Sequence, residues 1–230
     1  MSVKADNIPG FIRKIRNSPK KTSKRTIPDL KKSYLFFKRS FDILLALFLI
    51  TGLLSWVLPL MALLIKLDSR GPVFFLQRRI GRGGKHFTCY KLRTMVVNQQ
   101  ADECPASEDD SRITRLGKLL RKSHLDELPQ LFNVLSGSMS IVGPRPYMAA
   151  DSHRFSAMIP GHDYRNFVKP GITGLAQIKG LHGPKTDFKT IFWRYQWDAF
   201  YVRNAGFLLD LRILRQTVLF FFTQQMPLCG

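Results

Sequence analysis

The chain has 230 residues, 45% of them hydrophobic, enough for one globular core once a basic leader and an apolar segment are set aside. Thirty-six Lys and Arg against sixteen Asp and Glu give a net charge of +20, so the expected partner is anionic: nucleic acid, an acidic membrane or a phosphorylated small molecule. Cys89, Cys104 and Cys229 are odd in number and lack metal-ligand spacing, which argues against a disulfide framework or a zinc site and fits a reducing compartment.

Residues 1–37, rich in Lys, Ser and Pro, read as a flexible leader able to hold anionic membrane lipids. Residues 38–66 form the next unit. Ile43 to Ile65 carries no charged side chain and would run about 35 Å as a helix, the span of a hydrocarbon core. It is too long and too far into the chain for a cleavable signal. Lys31, Lys32, Lys38 and Arg39 precede it, and Lys66, Arg70, Arg78 and Arg79 follow, so the positive-inside tendency draws both flanks to the cytoplasm. A re-entrant helix satisfies both. Pro59 gives a cause for the bend by removing the hydrogen bond to the Ser55 carbonyl, with Ser55, Thr51 or a neighbour satisfying the freed group. An ordinary crossing helix that tolerates one proline is the alternative, and hydropathy does not choose between them.

Residues 67–222 follow as one domain, and 223–230 as a tail. Gly71 to Arg79 and Lys85 to Arg93 predict two short strands joined by a turn at Gly81 to Gly84, which lacks the spacing of a nucleotide P-loop. Asn98 to Ser111, with Asp102, Glu103, Glu108, Asp109 and Asp110, reads as a solvated acidic loop without the ligand spacing of a calcium site. A basic helix is expected from Arg112 to Lys122. After it comes the acidic pair Asp126-Glu127, then a helix with Pro129 at its first position, an apolar face of Leu131, Phe132, Val134 and Leu135, and an end near Gly137.

A carboxylate at a helix start is expected to stay ionised, and a phosphate there meets free amide donors and the positive end of the dipole. Mg²⁺ could be held by one carboxylate together with diphosphate oxygens. The plain alternative is that Ser123-x-x-Asp126 is a capping pattern and that Gly143-Pro144-Arg145-Pro146 is a rigid turn with a solvated arginine. An apolar membrane segment, an acidic pair and cationic flanks in one small chain together favour chemistry on a phosphorylated substrate. Further on, Phe192 to Tyr201 reads as core plus membrane interface. Phe207 to Phe222, with Asp210, Arg212, Arg215 and Gln216 between apolar positions, reads as a helix lying in the interface, a core-packed helix being the alternative.

Several strings taken jointly are specific: Lys38-Arg39-Ser40-Phe41-Asp42, Gly71 to Gly81, Tyr90-Lys91-Leu92-Arg93-Thr94-Met95, Leu125 to Leu135, Ser138 to Pro146, Lys169-Pro170-Gly171-Ile172-Thr173-Gly174-Leu175-Ala176-Gln177 and Tyr201-Val202-Arg203-Asn204. From residue 38 to about 217 the chain resembles the bacterial monotopic phosphoglycosyl transferases, the polyprenyl-phosphate sugar-1-phosphate transferases. The resemblance implies a mixed, mostly helical α/β fold with an N-terminal re-entrant membrane helix, a small catalytic domain on the cytoplasmic face of the inner membrane, and interfacial amphipathic helices. It implies that Asp126 attacks the β-phosphate of a UDP-sugar, releasing UMP, and that polyprenyl phosphate then attacks the aspartyl-phosphosugar intermediate. Glu127 would assist through Mg²⁺ or proton handling, with Asp126 and Glu127 as the metal's carboxylates. Arg121 and Arg145 match phosphate-facing positions, Lys91 and Arg93 are further candidates, and Arg39, Ser55 and Pro59 belong to the anchor. The family often carries Ser-Pro at the helix break, whereas here Ser55 precedes Trp56 and the proline comes at Pro59. Two other classes compete with this reading. One is a non-catalytic polybasic membrane adaptor, and the other is a nucleic-acid binder, which the uncharged Ile43 to Ile65 run argues against.

Overall fold

The computed structural model describes residues 30–97, 110–181 and 187–225. Residues 1–29 of the leader, most of the acidic loop and the last five residues lie outside the described residues; the rest of the expected flexible leader is corrected, because from Lys32 onward it is already helical and continues into the apolar run. A long apolar helix, Lys32–Asp68, opens the described chain and is long and apolar enough to cross a membrane. It comprises α1 (Lys32–Leu49), a π-type turn (Ile50–Leu54) and α2 (Ser55–Asp68). The Ser55 amide reaches back to the Ile50 carbonyl, so the Thr51 carbonyl loses its usual donor. The Ser55 hydroxyl replaces it at 2.6 Å, and Thr51 Oγ1 donates in turn to the Leu47 carbonyl at 2.9 Å. The irregularity therefore lies at Ile50–Leu54, not at Pro59. Pro59 sits one turn into α2, where it has no amide hydrogen to give the Ser55 carbonyl.

Strands β1 (Phe74–Ile80) and β2 (His86–Leu92) form the expected antiparallel hairpin, in register from Phe74 opposite Leu92 to Ile80 opposite His86. Gly83 and Gly84 supply the left-handed conformations of its turn (φ 68° and 76°). Helix α3 (Arg115–Ser123) is capped by Thr114, whose side chain accepts from the Gly117 amide. A 3₁₀ turn at Leu125–Glu127 leads into α4 (Gln130–Ser136), which ends at Gly137 (φ 84°). Strand β3 (Ser140–Val142), α5 (Ala149–Met158), a 3₁₀ segment (His162–Phe167) and β4 (Gly171–Thr173) follow, with β4 parallel to β3. Helices α6 (Leu175–Ile178), α7 (Phe188–Asn204) and α8 (Phe207–Gln225) complete a mixed, mostly helical fold.

The main core joins the anchor to the domain. Ala46 of α1 packs with Cys89 of β2, Leu131 and Val134 of α4, Ile141 and Val142 of β3, Tyr201 of α7 and Ile213 of α8. A second, aromatic core gathers Tyr147, Phe155, Tyr164, Ile191 and Tyr195, so part of the aromatic stretch of α7 is core, which bears out the core half of the expectation. A third places Ile65 of α2 against Leu92 and Leu120. Both ends of the anchor thus pack on the same domain. Helix α8 packs one face into the core, with Ile213 and Asp210 buried, and leaves Leu208, Leu211, Val218 and Leu219 exposed on the other.

Candidate active site

The acidic pair is presented by a sharp reversal between two helices. His124 closes α3 in the left-handed region (φ 57°), as the only non-glycine residue with positive φ among those described, a conformation that side chains adopt at a cost. The Glu127 amide then donates to the His124 carbonyl and the Leu128 amide to that of Leu125. Asp126 and Glu127 therefore sit in a separate 3₁₀ turn rather than in the first turn of α4, for which Pro129 serves as N-cap. Ser123 is not their cap. Its hydroxyl donates backward to the Leu119 and Leu120 carbonyls, so the capping explanation of Ser123-x-x-Asp126 falls away.

The two carboxylates have opposite surroundings. Glu127 Oε1 accepts from Lys91 Nζ and from Arg145 Nη2, each at 2.6 Å, and Oε2 accepts from Arg145 Nη1 at 3.0 Å. Burial works against its charge, yet Arg145 and Lys91 outweigh burial and hold Glu127 well below the usual carboxylate range. Asp126 is 8% exposed and, among the described residues, has neither hydrogen bond nor ion pair. Burial pushes its carboxyl up to about 6, with Lys91, Arg145 and Arg121 opposing and Glu127 adding to the rise. The expectation that a carboxylate here stays ionised holds for Glu127; Asp126 is still mostly ionised at neutral pH but takes up a proton near 6, because desolvation exceeds what Lys91, Arg145 and Arg121 return.

The other expected site residues divide by what they touch. Arg145 and Lys91, expected to face phosphate, spend these contacts on Glu127. Arg121 donates Nε to Thr94 Oγ1 at 2.8 Å and lies in the field of Asp126; its terminal nitrogens have no partner among the described residues, which leaves them available to an anion. Arg93 is drawn out of the phosphate set. It is buried and donates to the carbonyls of Ile65, Ser69 and Arg70 at the end of α2, satisfying acceptors that a helix end leaves open. Arg39 of the anchor turns inward to the Val134 and Leu135 carbonyls at 2.6 and 2.8 Å. Ser55 and Pro59 remain in the anchor, remote from the pair in sequence and element.

Several positioning residues escaped the sequence reading. Asn133 is buried within α4, accepts from the Tyr90 amide at 2.9 Å and donates to the Thr88 carbonyl at 2.7 Å. It locks α4 to β2, which aligns Lys91 with Glu127. An asparagine between Phe132 and Val134 on an apolar face was the available signal. Arg79 Nη1 holds the Pro146 carbonyl at 2.6 Å. Arg165, paired with Asp198 at 2.8 Å and lying 3.9 Å over the Tyr147 ring, holds the Arg145 carbonyl at 2.6 Å. These bonds fix the turn that carries Arg145. Gly143 and Gly171 allow it to form: a Cβ on Gly143 would lie 2.4 Å from the Lys169 carbonyl oxygen, and one on Gly171 2.1 Å from the Gly143 nitrogen.

Among the described residues no group of three or more His, Cys, Asp or Glu could hold a metal ion. The donor set fits a cation held by Asp126 together with oxygens of a bound diphosphate, since Mg²⁺ commonly takes one protein carboxylate and completes its shell from phosphates and water. Glu127 fits less well, because cations engage both of its oxygens.

Residues 33–224 match the profile of the family described as bacterial sugar transferase. The chain is 46% identical over 176 residues to a UDP-glucose:undecaprenyl-phosphate glucose-1-phosphate transferase of Xanthomonas campestris pv. campestris, covering 75% of this chain and 36% of that protein. It is 42% identical over 186 residues to a UDP-N-acetylgalactosamine-undecaprenyl-phosphate N-acetylgalactosaminephosphotransferase of Aeromonas hydrophila, covering 80% and 43%. To the exopolysaccharide production protein PSS of Rhizobium leguminosarum bv. phaseoli it is 42% identical over 193 residues, covering 80% and 94%. The chain spans less than half the length of the first two and nearly all of the third. With the acidic pair, its cationic clamp and the apolar anchor falling inside the matched residues, the chain belongs to the bacterial sugar transferase family.

Proposed function

We propose that this protein transfers a sugar-1-phosphate from a UDP-sugar to polyprenyl phosphate in two displacements at Asp126. The observation that carries the reading is the contrast within the pair: Glu127 is clamped by Lys91 and Arg145, while Asp126 beside it has unengaged oxygens. An Asp126 oxygen attacks the β-phosphorus, the bond from that phosphorus to the bridging oxygen breaks, and UMP departs. An oxygen of polyprenyl phosphate then attacks the same phosphorus, breaking its bond to Asp126 and restoring the carboxylate. Arg121 supplies donors for the phosphates, and Glu127 fixes Arg145 and Lys91 beside them as a positioning carboxylate. A Mg²⁺ held by Asp126 and the diphosphate would reduce repulsion between nucleophile and target. Related proteins are named for glucose, N-acetylgalactosamine and galactose, so the sugar has to be found with a panel of UDP-sugars.

The anchor is read as re-entrant, with the domain on the cytoplasmic face of the inner membrane. One domain grips both flanks of the apolar run, through Arg39 and Asp42 before it and through Ile65, Ser69 and Arg70 after it. That arrangement supports both flanks lying on one side. The exposed leucines of α8 support an interfacial position, since leaving each in water at its observed exposure forfeits about 1–2 kcal/mol. Single cysteines in the leader and at Ser69, in a background without native cysteines, should label from the same side. Labelling from opposite sides refutes re-entry.

The chemical test omits the acceptor. Protein given the correct UDP-sugar without polyprenyl phosphate should release UMP and gain a phosphosugar mass on the peptide containing Asp126, and Asp126→Asn should do neither. Normal turnover by verified Asp126→Asn protein overturns the two-displacement mechanism.

A further inference from the structure

The C-terminal end of α4 carries a group of cations that no step of the proposed transfer uses. Arg39 already gives Nη1 and Nη2 to the Val134 and Leu135 carbonyls, so the last turn of α4 has its cationic partner. Lys169 is additional. Its Nζ and Arg39 Nη2 each lie 3.5 Å from the point where a side chain on Gly137 would begin, so both converge on a space that this glycine leaves open. Lys169 is half-buried and, among the described residues, has no hydrogen bond or ion pair.

The charges around Lys169 do not balance. Burial lowers its pKa, and the fields of Arg39, Arg82 and Lys38 lower it further, with Asp42 the one carboxylate opposing them. Asp42 already accepts from the Ile141 amide at 3.0 Å, and Lys38 is paired with Asp210 at 2.7 Å. At Lys169 the charges of Arg39 and Arg82 are therefore opposed by Asp42, which already has a partner, an arrangement that an added anion would relieve.

We infer that Lys169 and the outer donors of Arg39, with Arg82 on the hairpin turn, bind the phosphate of an anionic membrane phospholipid. The depth of the site selects a lipid phosphate over a free one. Arg39 lies four residues before Ile43, where the uncharged run begins, about 6 Å along the helix and hence in the headgroup layer. A lipid held there would set the height of the domain on the membrane.

The test is thermal unfolding of the full chain in a neutral detergent, titrated with short-chain phosphatidylglycerol, phosphatidylcholine or inorganic phosphate. Phosphatidylglycerol should stabilise the protein saturably, at a concentration at least about tenfold below that needed of either alternative. The double variant Lys169→Gln with Arg82→Gln should weaken that response at least about fivefold. Lys118→Gln with Lys122→Gln, which removes equal charge from the exposed side of α3, should retain it, as should Lys169→Arg. An unchanged response in the first double variant, or an equal loss in the α3 control, overturns the site. Stabilisation by inorganic phosphate as effective as that by the lipid overturns the lipid assignment.

Discussion

Replacing Asp126 with Asn should abolish turnover and make the protein more stable. Burial carries this carboxyl from an ordinary 3.8 up to about 6, a gap of about 2 pH units. At about 1.4 kcal/mol per unit, keeping Asp126 ionised in the folded site costs about 3 kcal/mol at neutral pH relative to the unfolded chain. The folded protein binds the extra proton between the two values. Wild-type stability should therefore fall as pH rises from about 4 to about 6 and carry the full deficit above that range. An amide of nearly the same shape has no charge to desolvate, so the variant escapes the deficit, and for a domain of this size the gain corresponds to a melting shift of about 6–12 °C. Thermal unfolding of both proteins in detergent should show this gain at about pH 7.5 and little of it at about pH 3, where wild-type Asp126 is mostly protonated in both states. Equal gains at both pH values, or a less stable variant at the higher one, would mean that attraction from Lys91, Arg145 and Arg121 exceeds the desolvation invoked here.

The same carboxyl should govern the rate: kcat/KM for UMP release should lose activity on acidification with a midpoint near 6, as Asp126 takes up its proton, and a flat profile down to about pH 5 contradicts its role as nucleophile. Arg145→Lys keeps the charge but cannot make both bonds to Glu127, so turnover at subsaturating UDP-sugar should fall by about tenfold or more with little change in melting temperature. Asn133→Leu strips partners from the Tyr90 amide and the Thr88 carbonyl and should destabilise the protein by about 1–3 kcal/mol per orphaned group; an unchanged melting temperature would show that α4 is held to β2 by packing alone.

Local chemistry makes much of the fold legible in the sequence. The hairpin of Phe74–Ile80 and His86–Leu92, the helix on either side of the acidic pair, the stop at Gly137 and the long apolar anchor follow from alternation, turn glycines and an uncharged run, all of which act between near neighbours. The acidic pair also stood out in sequence, because two carboxylates beside a proline-led helix in a basic chain are unusual whatever surrounds them.

What adjacent residues cannot encode is which distant group each charge meets. Arg93 and Lys91 are two positions apart on β2, yet Arg93 closes the end of the anchor helix while Lys91 reaches Glu127. Arg145 grips Glu127 from 18 positions away, and Arg165 reaches the Arg145 carbonyl across another 20. Asp126 and Glu127 are neighbours with the same functional group, and only tertiary packing separates them. It gives one carboxylate three cationic hydrogen bonds and leaves the other buried and unpaired, because burial and partner geometry depend on chain segments brought together by the core.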